Sequence, residues 1–238
     1  MKLLECESLS KYFGKFAALK DLSFSIDEGI IFGIAGPNGA GKTTLINVIS
    51  GLYPLTTGKI RFLDKYIHNT PPHRRCQLGI ARTFQIPTYF PNLTVEENVL
   101  VGVTFGAKKQ DNVEKRVMDV LEFTWLLEKK DAIAENLSLY EKKRLMLAVA
   151  LATEPKLLML DEPIAGLNPN EINESMKLIK TINNNGVTII IIEHVMRVLM
   201  GLSDRVMILN QGEKLAEGSP NEIAKDEKVI KTYLGEKY

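Results

Sequence analysis

The chain has 238 residues, a formal net charge of +1, 45% hydrophobic residues and 25% charged residues. This length suits one large domain or a domain with an inserted lobe, and the small charge argues against binding nucleic acid or anionic lipid through an overall field. The longest apolar run, residues 187–192, is only as long as a strand, so no segment predicts a membrane span. The early Glu5 argues against a secretory signal, and Cys6 and Cys76 are expected to be free thiols.

Strand-like and helix-like stretches alternate along the chain, which predicts an α/β fold. In the first third, residues 22–26 alternate with period two, as in a strand with one buried face. Residues 30–35 form a continuous apolar run, which is typical of a strand buried on both faces. A helix is predicted over residues 42–50, with Gly51 as its C-terminal cap.

The middle third has helical signals. Thr94 and Glu97 form a predicted capping box, in which each residue satisfies a backbone N–H of the other. Apolar residues recur at helical spacing over residues 111–128. A second box, Ser138-Leu139-Tyr140-Glu141, opens a predicted helix that ends near residue 153.

The last third returns to alternating strands and helices. Four strands are predicted here, at residues 157–160, 187–192, 205–209 and 214–217. A helix between the first two begins at Asn168-Pro169, with proline at its first position. The last two form a hairpin around Asn210-Gln211-Gly212, and Ser219-Pro220-Asn221-Glu222 predicts the start of a terminal helix.

A glycine-rich segment lies between a predicted buried strand and a predicted helix. It fits the pattern G-x-x-x-x-G-K-S/T with residues Gly36, Pro37, Asn38, Gly39, Ala40, Gly41, Lys42 and Thr43. Glycines let such a loop turn its N–H groups toward phosphate oxygens, and the helix amino terminus adds partial positive charge. We therefore predict an ATP site, in which Lys42 reaches the β and γ phosphates, the Thr43 hydroxyl binds Mg²⁺ and Thr44 also contacts nucleotide.

Two adjacent carboxylates follow the apolar residues 157–160 directly. Asp161 and Glu162 are thereby predicted to lie at the carboxyl edge of the sheet, where α/β folds bind ligands. Asp161 would hold Mg²⁺ through water, and Glu162 would polarise the attacking water or accept its proton. The alternative is a solvated acidic turn after a strand.

The order of a phosphate loop, a glutamine, a signature, an Asp-Glu pair and a histidine resembles the ATP-binding cassette family over the whole chain. The residues of these motifs are most similar to those of the ATPase subunits of branched-chain amino acid importers, although urea importers have much the same motifs. The stretches that carry this resemblance are residues 79–85 (GIARTFQ), 161–169 (DEPIAGLNP), 192–194 (IEH) and 233–236 (YLGE).

The resemblance implies an architecture. It is an α/β fold with a P-loop NTPase core, an N-terminal antiparallel β subdomain and an inserted helical lobe. The core with its β subdomain would comprise residues 1–86 and 154–238, and the helical signature lobe residues 87–153.

The resemblance also implies roles for single residues. Gln85 would bind Mg²⁺, sense water and link the core to the helical lobe, whereas the alternative is a surface glutamine. His194 would contact the γ-phosphate, whereas the alternative is a structural histidine. Phe13 would stack on adenine, with Tyr12 as the alternative in register, although aromatic residues are more often core. The implied catalytic residues are Glu162, His194, Lys42 and Gln85.

The signature is where the chain departs from the family pattern L-S-G-G-Q, because the stretch here is Leu137-Ser138-Leu139-Tyr140-Glu141. Ser138 is implied to contact ATP held by a partner subunit. Side chains now stand where backbone should approach phosphate, and Glu141 adds negative charge. A homodimer would then carry two weakened sites, whereas a heterodimer with an intact partner would keep one good site. A plain helix cap without ligand is the alternative.

The resemblance implies ATP and Mg²⁺ as ligands and several protein partners. These are a second ABC ATPase subunit, in a heterodimer rather than a homodimer, transmembrane permease subunits and, indirectly, a solute-binding protein; no nucleic acid is expected. The chain would lie peripherally at the cytoplasmic face of the cell membrane and hydrolyse ATP to power transport of a small solute. The alternatives are a regulatory half that scarcely hydrolyses ATP and a non-transport cassette of DNA repair or translation.

Overall fold

The computed structural model describes residues 1–106 and 112–234. Asp111, where a helix was predicted to begin, and residues 235–236 of the terminal stretch lie outside the described residues. Contacts divide the chain into two compact units, which are Met1–Pro72 with Asn183–Tyr238, and His73–Ile182. The lobe boundaries inferred from the resemblance, 87 and 153, fall inside the second unit and stay a prediction.

The elements follow one another as strands and helices in mixed order. The elements of the first half of the chain are β1 (Lys2–Phe13), β2 (Phe16–Asp27), β3 (Ile31–Ala35), α1 (Lys42–Ser50), β4 (Thr57–Phe62), β5 (Lys65–Tyr66), α2 (Pro72–Gln77), β6 (Ile80–Arg82), α3 (Val95–Phe105) and α4 (Val113–Phe123). The remainder are α5 (Leu139–Ala152), β7 (Leu157–Asp161), α6 (Pro169–Asn184), β8 (Thr188–Ile192), α7 (Met196–Leu202), β9 (Arg205–Asn210), β10 (Glu213–Gly218), α8 (Pro220–Ile223) and α9 (Glu227–Leu234).

The first unit contains an antiparallel sheet with the order β2-β1-β4-β5. The long β1–β2 hairpin forms because apolar residues alternate along both strands and place one face in the core. β1 also pairs with β4, for example Cys6 with Ile60. This sheet confirms the predicted N-terminal antiparallel β subdomain.

The first unit also contains parallel strands, because β3 lies between β8 and β9 and pairs in parallel with both. All five residues of β3 and of β8 are buried, as their continuous apolar runs predict. In the register, Ile34 of β3 is opposite Ile192 of β8. The predicted hairpin is confirmed, since β10 pairs antiparallel with β9.

The second unit combines two parallel strands with a helical core. β6 pairs with β7, so that Arg82 is opposite Met159. Helices α3, α4 and α5 share one apolar cluster, which includes Val99, Leu121 and Leu145. The capping boxes predicted at Thr94 and Ser138 both form in this unit. At the first, Thr94 Oγ1 accepts from the N–H of Glu97 at 3.1 Å, and Glu97 Oε2 accepts from the N–H of Thr94 at 2.7 Å.

One helix boundary was predicted wrongly. α4 ends at Phe123 and not near residue 128, because Trp125 adopts a left-handed conformation (φ 57°) and Arg144 binds the carbonyl oxygen of Thr124. This local cap is invisible in the apolar periodicity. The predicted helix start at Ser219-Pro220 is confirmed, and a further helix begins at Glu227, where Asp226 Oδ1 accepts the N–H of Lys228.

No helix within residues 1–106 and 112–234 is both long enough and apolar enough to cross a bilayer.

Asn98 on α3 is fully buried and fixes the turn that precedes its own helix. Its Nδ2 donates to the carbonyl oxygens of Phe90 at 3.0 Å and Thr94 at 2.8 Å, and its Oδ1 accepts the N–H of Phe90 at 2.8 Å. Asn98→Ala leaves buried backbone groups unsatisfied, so we expect the free energy of unfolding to fall by about 2–4 kcal/mol. The control is Asn173→Ala, an exposed position on α6 that should change it by less than about 0.5 kcal/mol. Urea unfolding of the two variants measures the difference, and equal midpoints would contradict this role of Asn98.

Candidate functional site

The phosphate loop of the first unit runs from the end of β3 to the start of α1. Gly36 (φ 153°) and Gly41 (φ 103°) hold its two ends in backbone conformations that favour glycine. A Cβ atom at Gly36 would lie 2.2 Å from the carbonyl oxygen of Leu209, and one at Gly41 would lie 2.5 Å from that of Ala18. The loop is therefore packed against neighbouring backbone, which explains why glycine is needed at both ends.

Lys42 is the first residue of α1 and is only 6% exposed. Its Nζ donates to the carbonyl oxygens of Gly36 at 2.7 Å and Pro37 at 3.0 Å, so the ammonium group lies over the loop. Thr43 and Thr44 follow it in the first turn of the helix. A helix leaves its first N–H groups without intrahelical partners, and this end therefore suits an anionic phosphate.

His194 lies at the same edge of the sheet as the phosphate loop. β3 and β8 are parallel and adjacent, with Ile34 opposite Ile192, so the residues that follow both strands emerge together. Gly36 comes two residues after Ile34, and the exposed His194 comes two residues after Ile192. The fold of the first unit therefore brings the predicted histidine and the predicted phosphate loop together.

In the second unit, Gln85 and Glu162 are in direct contact. Gln85 Nε2 donates to Glu162 Oε2 at 2.7 Å, although 77 positions separate them in the sequence. Glu162 adopts a left-handed backbone conformation (φ 50°), which is uncommon for a residue with a side chain. Lys143 of α5 donates to the backbone carbonyl oxygen of Glu162 at 3.0 Å, which ties this turn to the signature helix.

Asp161 is buried at the end of β7 beside β6. Arg82 Nη2 lies 3.7 Å from Asp161 Oδ2, and Thr83 Oγ1 accepts the N–H of Asp161 at 3.4 Å. Sequence reasoning missed Arg82 and Lys143. Arg82 lies inside the motif stretch 79–85, and Lys143 lies two residues beyond the signature; only the pairing of β6 with β7 and the contact of α5 with the Glu162 turn identify the groups that they contact.

Phe13 ends β1 and is 45% exposed. Its ring meets the ring of Tyr53 edge to face, with centres 5.4 Å apart, and Lys11 Nζ lies 4.9 Å from the centre of the Phe13 ring. Tyr12, the alternative in register, is similarly exposed, and its N–H donates to Thr56 Oγ1. Adenine stacking by Phe13 stays a prediction.

The signature residues begin α5 as a closed capping box. Ser138 Oγ accepts the N–H of Glu141 at 3.3 Å, and Glu141 Oε2 accepts the N–H of Ser138 at 2.8 Å. The bond from the Ser138 backbone is the main cause that lowers the pKa of Glu141, so its carboxylate is charged at neutral pH. Lys129 Nζ lies 3.6 Å from the second oxygen of this carboxylate. The predicted cap therefore forms, and a ligand-contacting role for Ser138 stays a prediction.

Asn168 caps α6. Its Oδ1 accepts the N–H groups of Asn170 at 3.0 Å and Glu171 at 3.1 Å, and its own N–H donates to Glu171 Oε2. These bonds account for the helix start that the sequence predicts at Asn168-Pro169.

Comparison with protein families gives two matches. The ABC transporter family matches residues 19–165, and a branched-chain amino acid ATP-binding cassette transporter family matches residues 213–238. The chain is 38% identical to the high-affinity branched-chain amino acid transport ATP-binding protein LivG of Salmonella typhimurium, over 98% of each chain. It is 36% identical to the probable branched-chain amino acid transport ATP-binding protein LivG of Archaeoglobus fulgidus, over 99% of this chain and 96% of that protein.

Solved structures agree in fold. A nucleotide-free ATP-binding cassette from an ABC transporter superposes with a TM-score of 0.91 at 33% identity, over 99% of this chain and 100% of that chain. The ADP conformation of an ATP-binding cassette of an ABC transporter gives 0.89 at 34% identity, over the same shares. These likenesses extend over both units and confirm the predicted P-loop NTPase fold. The chain therefore belongs to the ABC transporter family, as an ATP-binding and ATP-hydrolysing subunit.

Proposed function

We propose that this chain binds ATP through residues 36–44 and uses Glu162 to activate the water that attacks the γ-phosphate, and that this reaction powers the transport of a small solute. The observation that carries the proposal is the hydrogen bond of 2.7 Å between Gln85 and Glu162. It holds the carboxylate of Glu162 in a defined place at the end of β7, as a general base requires. Lys42 and His194 would stabilise the charge on the transferring phosphoryl group.

The residues that would hold Mg²⁺ are Thr43, Gln85 and Asp161. Their oxygen donors suit this ion, which binds through one or two carboxylates together with the phosphates of its nucleotide. Asp161 is buried, and Arg82 Nη2 lies 3.7 Å from its Oδ2, so a neighbouring cation already faces this carboxylate. When bound, Mg²⁺ would neutralise the charge that develops on the phosphate oxygens.

Branched-chain amino acids are the transported solute that the relatives favour. The LivG proteins of Salmonella typhimurium and Archaeoglobus fulgidus are named for this transport, and the family match at residues 213–238 carries the same description. The solute would cross the membrane through separate permease subunits and would not touch this chain. We propose that those subunits hold the chain at the cytoplasmic face of the membrane, with a solute-binding protein as an indirect partner.

A heterodimer with a second, different ATPase subunit is the assembly that the signature favours. The segment Ser138-Leu139-Tyr140-Glu141 closes on itself through the Ser138–Glu141 box and carries a charged carboxylate. Such an end repels a triphosphate more than a glycine-rich one does. A partner with an intact signature would complete one efficient site on the ATP bound by this chain.

The same observation favours a second candidate function. A chain with this signature could bind ATP chiefly to regulate its partner and turn over little of it. The two functions differ in whether Glu162 is needed for turnover.

Replacing Glu162 separates these functions. In the complex rebuilt from this chain, its ATPase partner and the permease subunits, we expect Glu162→Gln to lower steady-state ATP hydrolysis at least about tenfold, because the amide cannot accept a proton from water. ATP binding should persist, as measured by equilibrium dialysis of labelled ATP. The matched control is Glu135→Gln, an exposed position in the second unit. Hydrolysis that is indifferent to Glu162→Gln would favour the regulatory function.

Restoring glycine tests the signature. In the same complex, we expect Leu139→Gly/Tyr140→Gly to raise steady-state ATP hydrolysis, because backbone N–H groups without adjacent Cβ atoms can approach phosphate more closely. At the partner's ATP, measured in a complex that also carries Glu162→Gln, the gain is expected to be about twofold to tenfold, the range of one modest hydrogen bond. The control is Leu127→Gly, an exposed position outside the signature. A loss of activity, or no change, would contradict the view that these two residues weaken the site.

A further inference from the structure

Side chains from four positions converge around the first turn of α5 in the second unit. Tyr140, the second residue of this helix, lies among Glu174 of α6, Arg144 of α5 and, beyond Arg144, Trp125. Glu174 and Trp125 lie outside the motif stretches, and Tyr140 stands where the family pattern of the signature has glycine. The inference drawn from this cluster rests on the proposed function, since it concerns how the signature of this chain reaches ATP bound to the partner subunit.

Two contacts hold the Tyr140 side chain, one at its hydroxyl group and one at the face of its ring. Its Oη donates to Glu174 Oε2 at 2.8 Å. Burial and the bond to Glu174 raise the pKa of Tyr140 to about 12, so the phenol keeps its proton and remains a donor at neutral pH. The guanidinium carbon of Arg144 lies 5.1 Å from the ring centre, a separation at which a cation is attracted to an aromatic face.

Arg144 is itself held in place by hydrogen bonds, so its contact with the Tyr140 ring restrains that ring. Its Nε and Nη2 donate to the carbonyl oxygen of Thr124 at 2.8 and 2.6 Å, and Nη2 also donates to that of Trp125. Its guanidinium carbon lies 5.1 Å from the centre of the Trp125 ring as well. Arg144 is thus held between two aromatic rings and the carbonyl groups that end α4.

The other two residues that replace the signature pattern are also held aside. An added Cβ at Gly166 would lie 3.0 Å from Leu139 Cδ2, so the Leu139 side chain packs toward that glycine. Glu141 folds back on Ser138 and faces Lys129. Each of the three departures from glycine or glutamine is therefore accommodated within the second unit.

Tyr140 needs its anchor more than the other two. Aromatic side chains in helices lean back toward the amino terminus, which at this position means over the unpaired N–H groups of the first turn. A phenol ring placed there would cover the groups that a triphosphate must reach. The bond to Glu174 holds the ring to one side of the helix instead.

We propose that Glu174 is a positioning residue for hydrolysis at the partner's ATP: it holds the Tyr140 phenol beside α5 and so limits how far this signature helix obstructs the triphosphate. Glu174 contacts neither nucleotide nor water in this role and acts only through Tyr140. The role predicts that the contribution of Glu174 exists only while Tyr140 is present.

A double-mutant cycle in the rebuilt transporter complex tests this dependence. The cycle is measured in a complex that also carries Glu162→Gln, so that the remaining turnover reports hydrolysis of the partner's ATP. With Tyr140 present, we expect Glu174→Ala to raise the KM for ATP about tenfold or more, the equivalent of one charge-assisted hydrogen bond, with a smaller effect on kcat. Glu174→Gln keeps an oxygen acceptor and should restore most of the wild-type KM. With Tyr140→Gly, Glu174→Ala should leave the KM unchanged. Asn173→Ala, an exposed neighbour on α6, is the control for effects on the helix.

The results of this cycle test the positioning role of Glu174 separately from the proposed function. An equal rise in KM in both backgrounds, or no rise in either, overturns the positioning role. If ATP turnover by the wild-type complex does not depend on Glu162, the proposed function is refuted, independently of the role of Glu174. The hydrogen bond between Tyr140 and Glu174 can still be measured in the purified chain. The ¹³Cζ chemical shift of Tyr140, assigned with Tyr140→Phe, reports this bond. A shift that Glu174→Ala leaves unaltered also overturns the proposal.

Discussion

The parallel pairing of β3 with β8 is the constraint on which the phosphate site of the first unit depends. Two fully buried strands in this register send their following residues to one edge, where Gly36 and His194 emerge from adjacent strands. Gly41 then lets the chain enter α1 against the carbonyl oxygen of Ala18, and Lys42 turns back over the loop. The burial of β3 and β8 thus positions Lys42 and His194, the residues proposed to contact phosphate, although neither strand carries a charge itself.

A similar arrangement in the second unit positions carboxylates. β6 and β7 are parallel, and Gln85 and Asp161-Glu162 follow them at one edge. Here two cationic side chains contact the end of β7: Arg82 faces the carboxylate of Asp161, and Lys143 donates to the backbone carbonyl oxygen of Glu162. The contact of Lys143 also links the carboxylate turn to α5, so a displacement of the signature helix would be felt at Glu162. This contact offers a physical route between α5 and the turn that carries the proposed general base Glu162.

Much of this could be predicted from the sequence, for identifiable reasons. The helix at residues 42–50 and the apolar strands were recognised because burial leaves a periodic pattern, and both capping boxes because the Thr94 and Ser138 spacings are local. The end of α4 could not be predicted, because Arg144 terminates it from another helix. The contacts of Arg82 and Tyr140 were equally hidden, since they depend on which elements become neighbours. The roles of the individual site residues remain predictions.

The most direct test of the central claim compares ATP turnover by the purified chain alone with turnover after mixing it with an ATPase partner whose signature keeps both glycines. The account predicts slow turnover alone and a rise per molecule of this chain on mixing, because the ATP held by Lys42 would then face an unobstructed signature. Turnover that is the same alone and mixed would contradict the account, since the chain's own signature would then be fully competent. Turnover that stays negligible in both would contradict hydrolysis at this chain's phosphate loop.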